Sequence, residues 1–186
     1  MTKNIETIPL RRKREGKTNY KKRLALLKSK ELRLVVRRSN KHMSAQLVKY
    51  SDNGDVVVES AHTRNLVKFG WDTSTSNIPA AYLVGLLLGT KAKGKKAILD
   101  LGLQTPISGS KIFAVLKGAS DGGLKIGFSE EVVPTNERLT GVHISKYAEV
   151  TKDDRLFSNY LKGKKDPKKI MTYLSESKQK ILQGAK

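Results

Sequence analysis

The chain reads as an α/β fold, a mixed sheet with helices packed on it, flanked by two basic extensions. Three observations predict this. Alternating apolar and polar residues open the body as antiparallel strands. A later order of helix, strand, helix demands a crossover onto the same sheet. The charge is also unevenly spread: of 186 residues, 37 are Lys or Arg and 17 Asp or Glu, for a net +20. Residues 1–50 carry a net +13, residues 51–150 a net +1, and residues 151–186 a net +6. The near-neutral middle holds most apolar runs and is the packed body, 31–150. A basic arm with a first helix, 1–30, precedes it, and a basic helical extension, 151–186, follows.

Within the arm, Arg11-Arg12-Lys13-Arg14 has too many like charges and too few apolar neighbours to fold alone. It is expected to stay extended or disordered until it meets an anion. Asn19 to Lys30 suits a helix capped by Asn19, with Tyr20, Leu24 and Leu27 near one face and Lys21, Lys22 and Arg23 outward. Residues 31–38 read as a strand with Leu32, Leu34 and Val36 on one side and Arg33, Val35 and Arg37 on the other. Residues 44–50 alternate again, and Asp52-Asn53-Gly54-Asp55 predicts a tight hairpin in which Asn53 and Gly54 both take positive φ. Residues 55–61 return as the third strand.

Ser74, Ser76 or Asn77 can cap the next helix, and Pro79 fits its first turn. The run from Ala80 to Gly89 is apolar nearly all round, so this helix lies on a sheet and is covered by a further element. Gly85 and Gly89 mark close approach to a neighbour. Residues 97–101 form a short buried strand, with Asp100 ending it and holding the Leu101-Gly102 turn. Residues 110–120 are helical, with Ile112, Val115, Leu116 and Ala119 in one stripe, and Asp121-Gly122-Gly123 stops them. From Asp154 to Leu182 one or two helices are interrupted at Gly163 and before Pro167. Trp71 is read as a packing residue.

Charge and motif content narrow the function. Without cysteine there is neither a disulfide framework nor a thiolate zinc site, and His42, His62 and His143 are not at ligand spacing, so no metal or other cofactor is expected. Gly89 to Lys95 imitates a phosphate-binding loop, but Lys96 stands where a hydroxyl is required and the helix precedes the loop instead of following it. Asp100, Glu130 and Glu131 form no credible acid–base pair, so an enzyme is not expected. The longest uncharged apolar stretch, 78–89, falls well short of the ~20 residues that span a bilayer. No secretory signal is read, and a soluble, cytoplasmic protein is expected, with no membrane partner. A net +20 on a small chain calls for a polyanion, and nucleic acid is the commonest.

Several stretches are similar, in order, to a known family. Glu15-Gly16-Lys17-Thr18-Asn19-Tyr20-Lys21-Lys22-Arg23-Leu24, Leu34 to His42, Asn77 to Gly85, Asp100 to Leu103, Gly109 to Gly123 and Gly141 to Tyr147 resemble blocks of universal large-subunit ribosomal protein eighteen. The early block resembles its archaeal and eukaryotic form, and the length suits an archaeal member. The resemblance implies a three-layer body of ribonuclease-H-like topology without nuclease activity. It also implies binding of 5S ribosomal RNA, anchoring it to large-subunit ribosomal RNA in the central protuberance beside neighbouring ribosomal proteins. A non-ribosomal nucleic-acid-binding or RNA chaperone module is the alternative.

RNA duplexes are recognised mainly through phosphates and 2′-hydroxyls, and unpaired bases by stacking. Arg11, Arg12, Lys13, Arg14, Lys17, Lys21, Lys22 and Arg23 suit phosphate contacts. Arg33, Arg37, Arg38 and Lys41 would extend that surface onto the sheet edge, while Asn40 and His42 offer hydrogen bonds to backbone or bases. Tyr20 either stacks on a base or packs under the first helix. Lys162, Lys164, Lys165, Lys168 and Lys169 are either a second RNA patch or a solvated helix end.

Overall fold

Alternation along the first half of the chain becomes sheet. In the computed structural model, which describes residues 7–151 and 154–184, the strands are β1 (Leu32–Arg38), β2 (Met43–Lys49), β3 (Val56–His62) and β4 (Ala97–Asp100). They lie in the order β3-β2-β1-β4, with β2 antiparallel to β1 and β3, and β4 parallel to β1. The mixed sheet expected from the sequence is present. Opposed pairs Leu34–Leu47 and Val36–Ala45 put four fully buried side chains on one face. Arg33, Val35, Arg37 and Gln46 project from the other. Because β1 is an inner strand, Arg33 and Arg37 stand on that second face, a correction to the sheet-edge position expected for them.

The parallel β1–β4 pair requires a long crossover, and α3 (Ile78–Lys91) supplies it across the apolar face. Asn77 caps α3 by accepting the Ala80 N–H at 2.9 Å, and Pro79 sits in the first turn. Every residue from Ile78 to Gly89 is buried, because α3 has the sheet on one side and α4 (Lys111–Asp121) on another. The two helices touch backbone to backbone. A Cβ at Gly85 would overlap the Val115 carbonyl oxygen, and one at Gly118 would overlap that of Tyr82. After α4 the chain returns beside β4 through a parallel bridge between Lys96 and Lys125.

Among the described residues four α-helices follow: α5 (Asn136–Thr140), α6 (Val142–Val150), α7 (Ser158–Lys162) and α8 (Ile170–Gln183). The first two were not read from the sequence. Ile170, Leu174 and Ile181 of α8 join the core cluster, so this basic C-terminal stretch packs against α3, α5 and α6. Tyr160 of α7 is also buried, and its hydroxyl accepts from Asn77 Nδ2 at 3.1 Å. The helix break at Gly163 has a tertiary cause, since a Cβ there would overlap the Asp72 carbonyl oxygen.

Three local expectations need correction. The β2–β3 turn is closed by reciprocal Ser51–Gly54 backbone bonds, and of its Asn-Gly pair only Gly54 has positive φ, 129°. The turn is therefore not the mirror-image type that needs both. Arg11–Arg14 form a single helical turn, α1, instead of an extended segment. The next helix, α2 (Tyr20–Leu27), contains no buried residue, and Leu24 is 60% exposed where an apolar face was expected.

Candidate nucleic-acid interface

The sheet face turned away from α3 and α4 carries charge at its centre. Arg33 is only 2% exposed, yet it is a permanent cation, so its burial requires paired anions. Asp100, at the end of β4, supplies one: Arg33 Nη1 donates to its Oδ2 at 2.9 Å. Asp55, just before β3, supplies the other through a 2.6 Å ion pair with Arg33 Nη2. The Asp55 carboxylate also receives both terminal nitrogens of Arg23 from α2, each at 2.8 Å. This two-pronged geometry fixes orientation as well as distance.

Arg37 completes the cluster. Its Nη1 donates to the Asp100 and Val36 carbonyl oxygens at 2.9 and 2.8 Å, and its Nη2 lies 3.3 Å from Asp100 Oδ1. The Gly102 N–H donates to the same Oδ1 at 2.8 Å, so Asp100 does end the strand and hold the turn as expected. Gly102 has φ +61°, and a Cβ there would come 2.8 Å from Arg37 Nη2. The positive φ favours glycine in this turn, and the Arg37 guanidinium packs directly over it.

Titration follows this wiring. Burial by itself raises the Asp55 carboxyl, but the hydrogen bonds and charges of Arg23 and Arg33 outweigh it and hold the group below its ordinary value. The Asp55 hydrogen bond in turn raises Arg23.

The arm is attached to the sheet by this cluster. Asn19 Oδ1 caps α2 by accepting the Lys22 N–H at 3.0 Å. Arg12 Nε donates to Thr18 Oγ1 at 2.9 Å, and Glu15 bridges Lys17 at 2.8 Å and Arg11 at 3.7 Å. All four α1 side chains are exposed, as are Lys21 and Lys22. Lys13, Arg14, Lys21 and Lys22 have no ion-pair partner among the described residues. Between the arm, α2, the sheet and the loop 101–106 lies a groove of about 810 Å³, and Tyr20, half-buried, lines it.

The expected site thus separates into two groups. Arg12, Lys17, Tyr20, Lys22, Arg23, Arg33 and Arg37 line the groove, while Arg11, Lys13, Arg14 and Lys21 belong to the same α1 and α2 segments. Arg38, Asn40, Lys41 and His42 lie at the C-terminal end of β1 and in the turn after it, next to Arg37 and about 17 Å from Arg33 by strand rise. There Asn40 and Lys41 are exposed at the turn tip, and Thr75 Oγ1 donates to the Lys41 carbonyl at 2.6 Å. His42 Nδ1 is 3.1 Å from Thr63 Oγ1, and its ring lies 5.1 Å from that of His62. Arg33 is a correction in a second respect. It is buried and neutralised, so it organises the face instead of presenting a free cation.

Asp55 and Asp100 neutralise the cations of this face, and a search for cations passes over that pairing. Their signal was placement: one at a hairpin, one at a strand end, each meeting an arginine on the same sheet face.

A family model described as ribosomal large subunit proteins 60S L5 and 50S L18 matches residues 7–96 and 89–129. The chain belongs to that family. The match takes in the arm, the whole sheet, the groove and the α3–α4 pair. The protein is therefore a constituent of the large ribosomal subunit that works by binding ribosomal RNA and not as an enzyme. Among the described residues no group of three or more His, Cys, Asp or Glu is placed to hold a metal ion. No helix among them is long and apolar enough to cross a membrane.

Proposed function

We propose that the protein binds 5S ribosomal RNA and anchors it to large-subunit ribosomal RNA in the central protuberance, beside neighbouring ribosomal proteins. Its location would then be that of the large subunit in the cytoplasm. The observation that carries the reading is the attachment of the cationic arm to a groove-bearing sheet face through Arg23, Asp55, Arg33 and Asp100. That attachment holds Arg11 to Lys22 on one side of the fold, where a duplex backbone can meet many of them together. Arg38, Asn40, Lys41 and His42 form a second contact region at the β1–β2 turn, suited to the other RNA.

Labour divides along the chain in this reading. Residues 1–30 make the principal RNA contact, residues 31–150 provide the scaffold, and the lysines within 151–186 add a further contact. The strand order β3-β2-β1-β4, extended by the Lys96–Lys125 bridge, supports the ribonuclease-H-like, three-layer arrangement.

The test is competitive binding at physiological salt. The protein should prefer 5S ribosomal RNA to a DNA duplex of equal length. Equal affinity would leave only a general polyanion binder and refute the assignment.

A further inference from the structure

Two histidines meet where the β1–β2 turn, the end of β3 and the 3₁₀ segment Thr63–Phe69 come together. That segment follows β3 directly and carries Leu66, fully buried, into the core. His62 caps it: the Arg64 N–H donates to His62 Nδ1 at 3.1 Å. A backbone N–H can only donate, so Nδ1 carries no proton and the ring is neutral, with its proton on Nε2. His42 is placed differently. Its Nδ1 lies 3.1 Å from the hydroxyl of buried Thr63, which also accepts the Met43 N–H at 3.2 Å. A hydroxyl both donates and accepts, so His42 keeps this contact with or without a proton on Nδ1. His62 has no such freedom.

We propose that His62 is a proton-operated latch: neutral, it holds the 3₁₀ segment closed on the end of β3, and protonated, it releases it. Protonation sets a hydrogen on Nδ1 against the Arg64 N–H, donor facing donor, and the cap is lost. The two rings lie 5.1 Å apart, so a charge on both adds repulsion. The charged and titratable groups acting on His62 are His42 from the turn and Arg64 from the segment, both opposing the proton. β2 presents the uncharged Ser44 opposite it, and Lys91, the one charged residue of α3, donates to the Ser60 carbonyl at 3.2 Å. Burial, then His42 and Arg64, hold the imidazole below its ordinary 6.5. The latch is therefore fully closed above pH 6.5 and opens as pH falls through the lower folded value. Thr63 passes the release on, because His42 and the Met43 N–H both meet its hydroxyl. The device belongs to the free chain and stands independently of which RNA the protein binds.

The test is an NMR titration of the full-length protein without RNA from about pH 8 to about pH 5, the range in which histidine changes charge. It follows the imidazole nitrogens and the exchange of the Arg64 amide, corrected for the intrinsic rate at each pH. The expected result is an unprotonated His62 Nδ1 at neutral pH and a midpoint below 6.5. Through that midpoint Arg64 protection should fall about fivefold, the factor for loss of a helix cap. His62→Asn, whose Oδ1 caps without titrating, should hold Arg64 protection level over the range, and His62→Ala should lack it throughout. Circular dichroism melts confirm that each variant folds, and the wild-type titration decides alone if neither does. A proton on His62 Nδ1 at neutral pH overturns the latch. So does Arg64 protection that stays level through the wild-type His62 midpoint, or that falls in His62→Asn as it does in wild type.

Discussion

Replacing Asp100 by alanine tests the charge cluster at its most buried point. Its side chain is 8% exposed, and that of Arg33 is 3% exposed. Removing the carboxylate takes the 2.9 Å bond from Arg33, the 3.3 Å contact from Arg37 Nη2 and the partner of the Gly102 N–H. Breaking a buried ion pair from one side costs about 3–5 kcal/mol, because the remaining charge stays desolvated. Asp55 still holds Arg33 Nη2, which places the loss toward the lower figure. Each kcal/mol lowers the melting midpoint by about 2–4 °C in a chain of this size, so Asp100→Ala should melt about 6–12 °C below wild type. Asp55→Ala should cost less, about 1 kcal/mol, since the 27% exposed carboxylate leaves a site that water can reach. The double variant Arg33→Met, Asp100→Leu should recover most of the Asp100→Ala loss, because it removes the unpaired charge. Calorimetry on the four proteins decides the matter. An Asp100→Ala midpoint within about 2 °C of wild type would refute the claim that Arg33 depends on it.

Two other perturbations test the core and the titration. Gly85→Ala should cost at least about 1–3 kcal/mol, the usual range for overpacking, because the new methyl meets the Val115 backbone and not a movable side-chain end; a wild-type urea midpoint would show that α3 and α4 separate freely. The Asp55 carboxyl titrates below its ordinary 3.8 in the folded protein, so its contribution is present above about pH 4 and is lost as pH falls through the lower folded value. Asp55→Asn should therefore show a shallower loss of stability than wild type on acidification below pH 4, followed by denaturant titration at each pH, and parallel curves would contradict the pairing.

Much of the sheet was legible because its signal is local. Leu34, Val36, Ala45 and Leu47 alternate with polar neighbours, and one-sided burial leaves little freedom of register. Helix α3 was legible for the opposite reason, since an all-round apolar run has only buried solutions. The cluster was not legible, because Asp55 and Asp100 stand 22 and 67 residues from Arg33 in sequence, and only strand order brings them together. Arg33 consequently read as one more exposed cation. Leu24 misled in the reverse direction: its helix is attached by the Arg23–Asp55 ion pair and not by a buried apolar face. The Asn53-Gly54 pair signalled a hairpin correctly but not its turn geometry, which the Leu47/Val48 irregularity in strand register accompanies.

The claim that the arm is the principal RNA contact is tested most directly by the salt dependence of 5S ribosomal RNA binding. The measurement compares the full-length protein with a variant carrying alanine at Arg11, Arg12, Lys13 and Arg14, all exposed and outside the core. Each phosphate contact contributes roughly 0.7–0.9 to the slope of log affinity against log salt. The variant should keep its fold and melting midpoint, bind more weakly, and have a slope shallower by about 3. An unchanged affinity and slope would contradict the arm's role and move the principal RNA contact to the body or the C-terminal lysines.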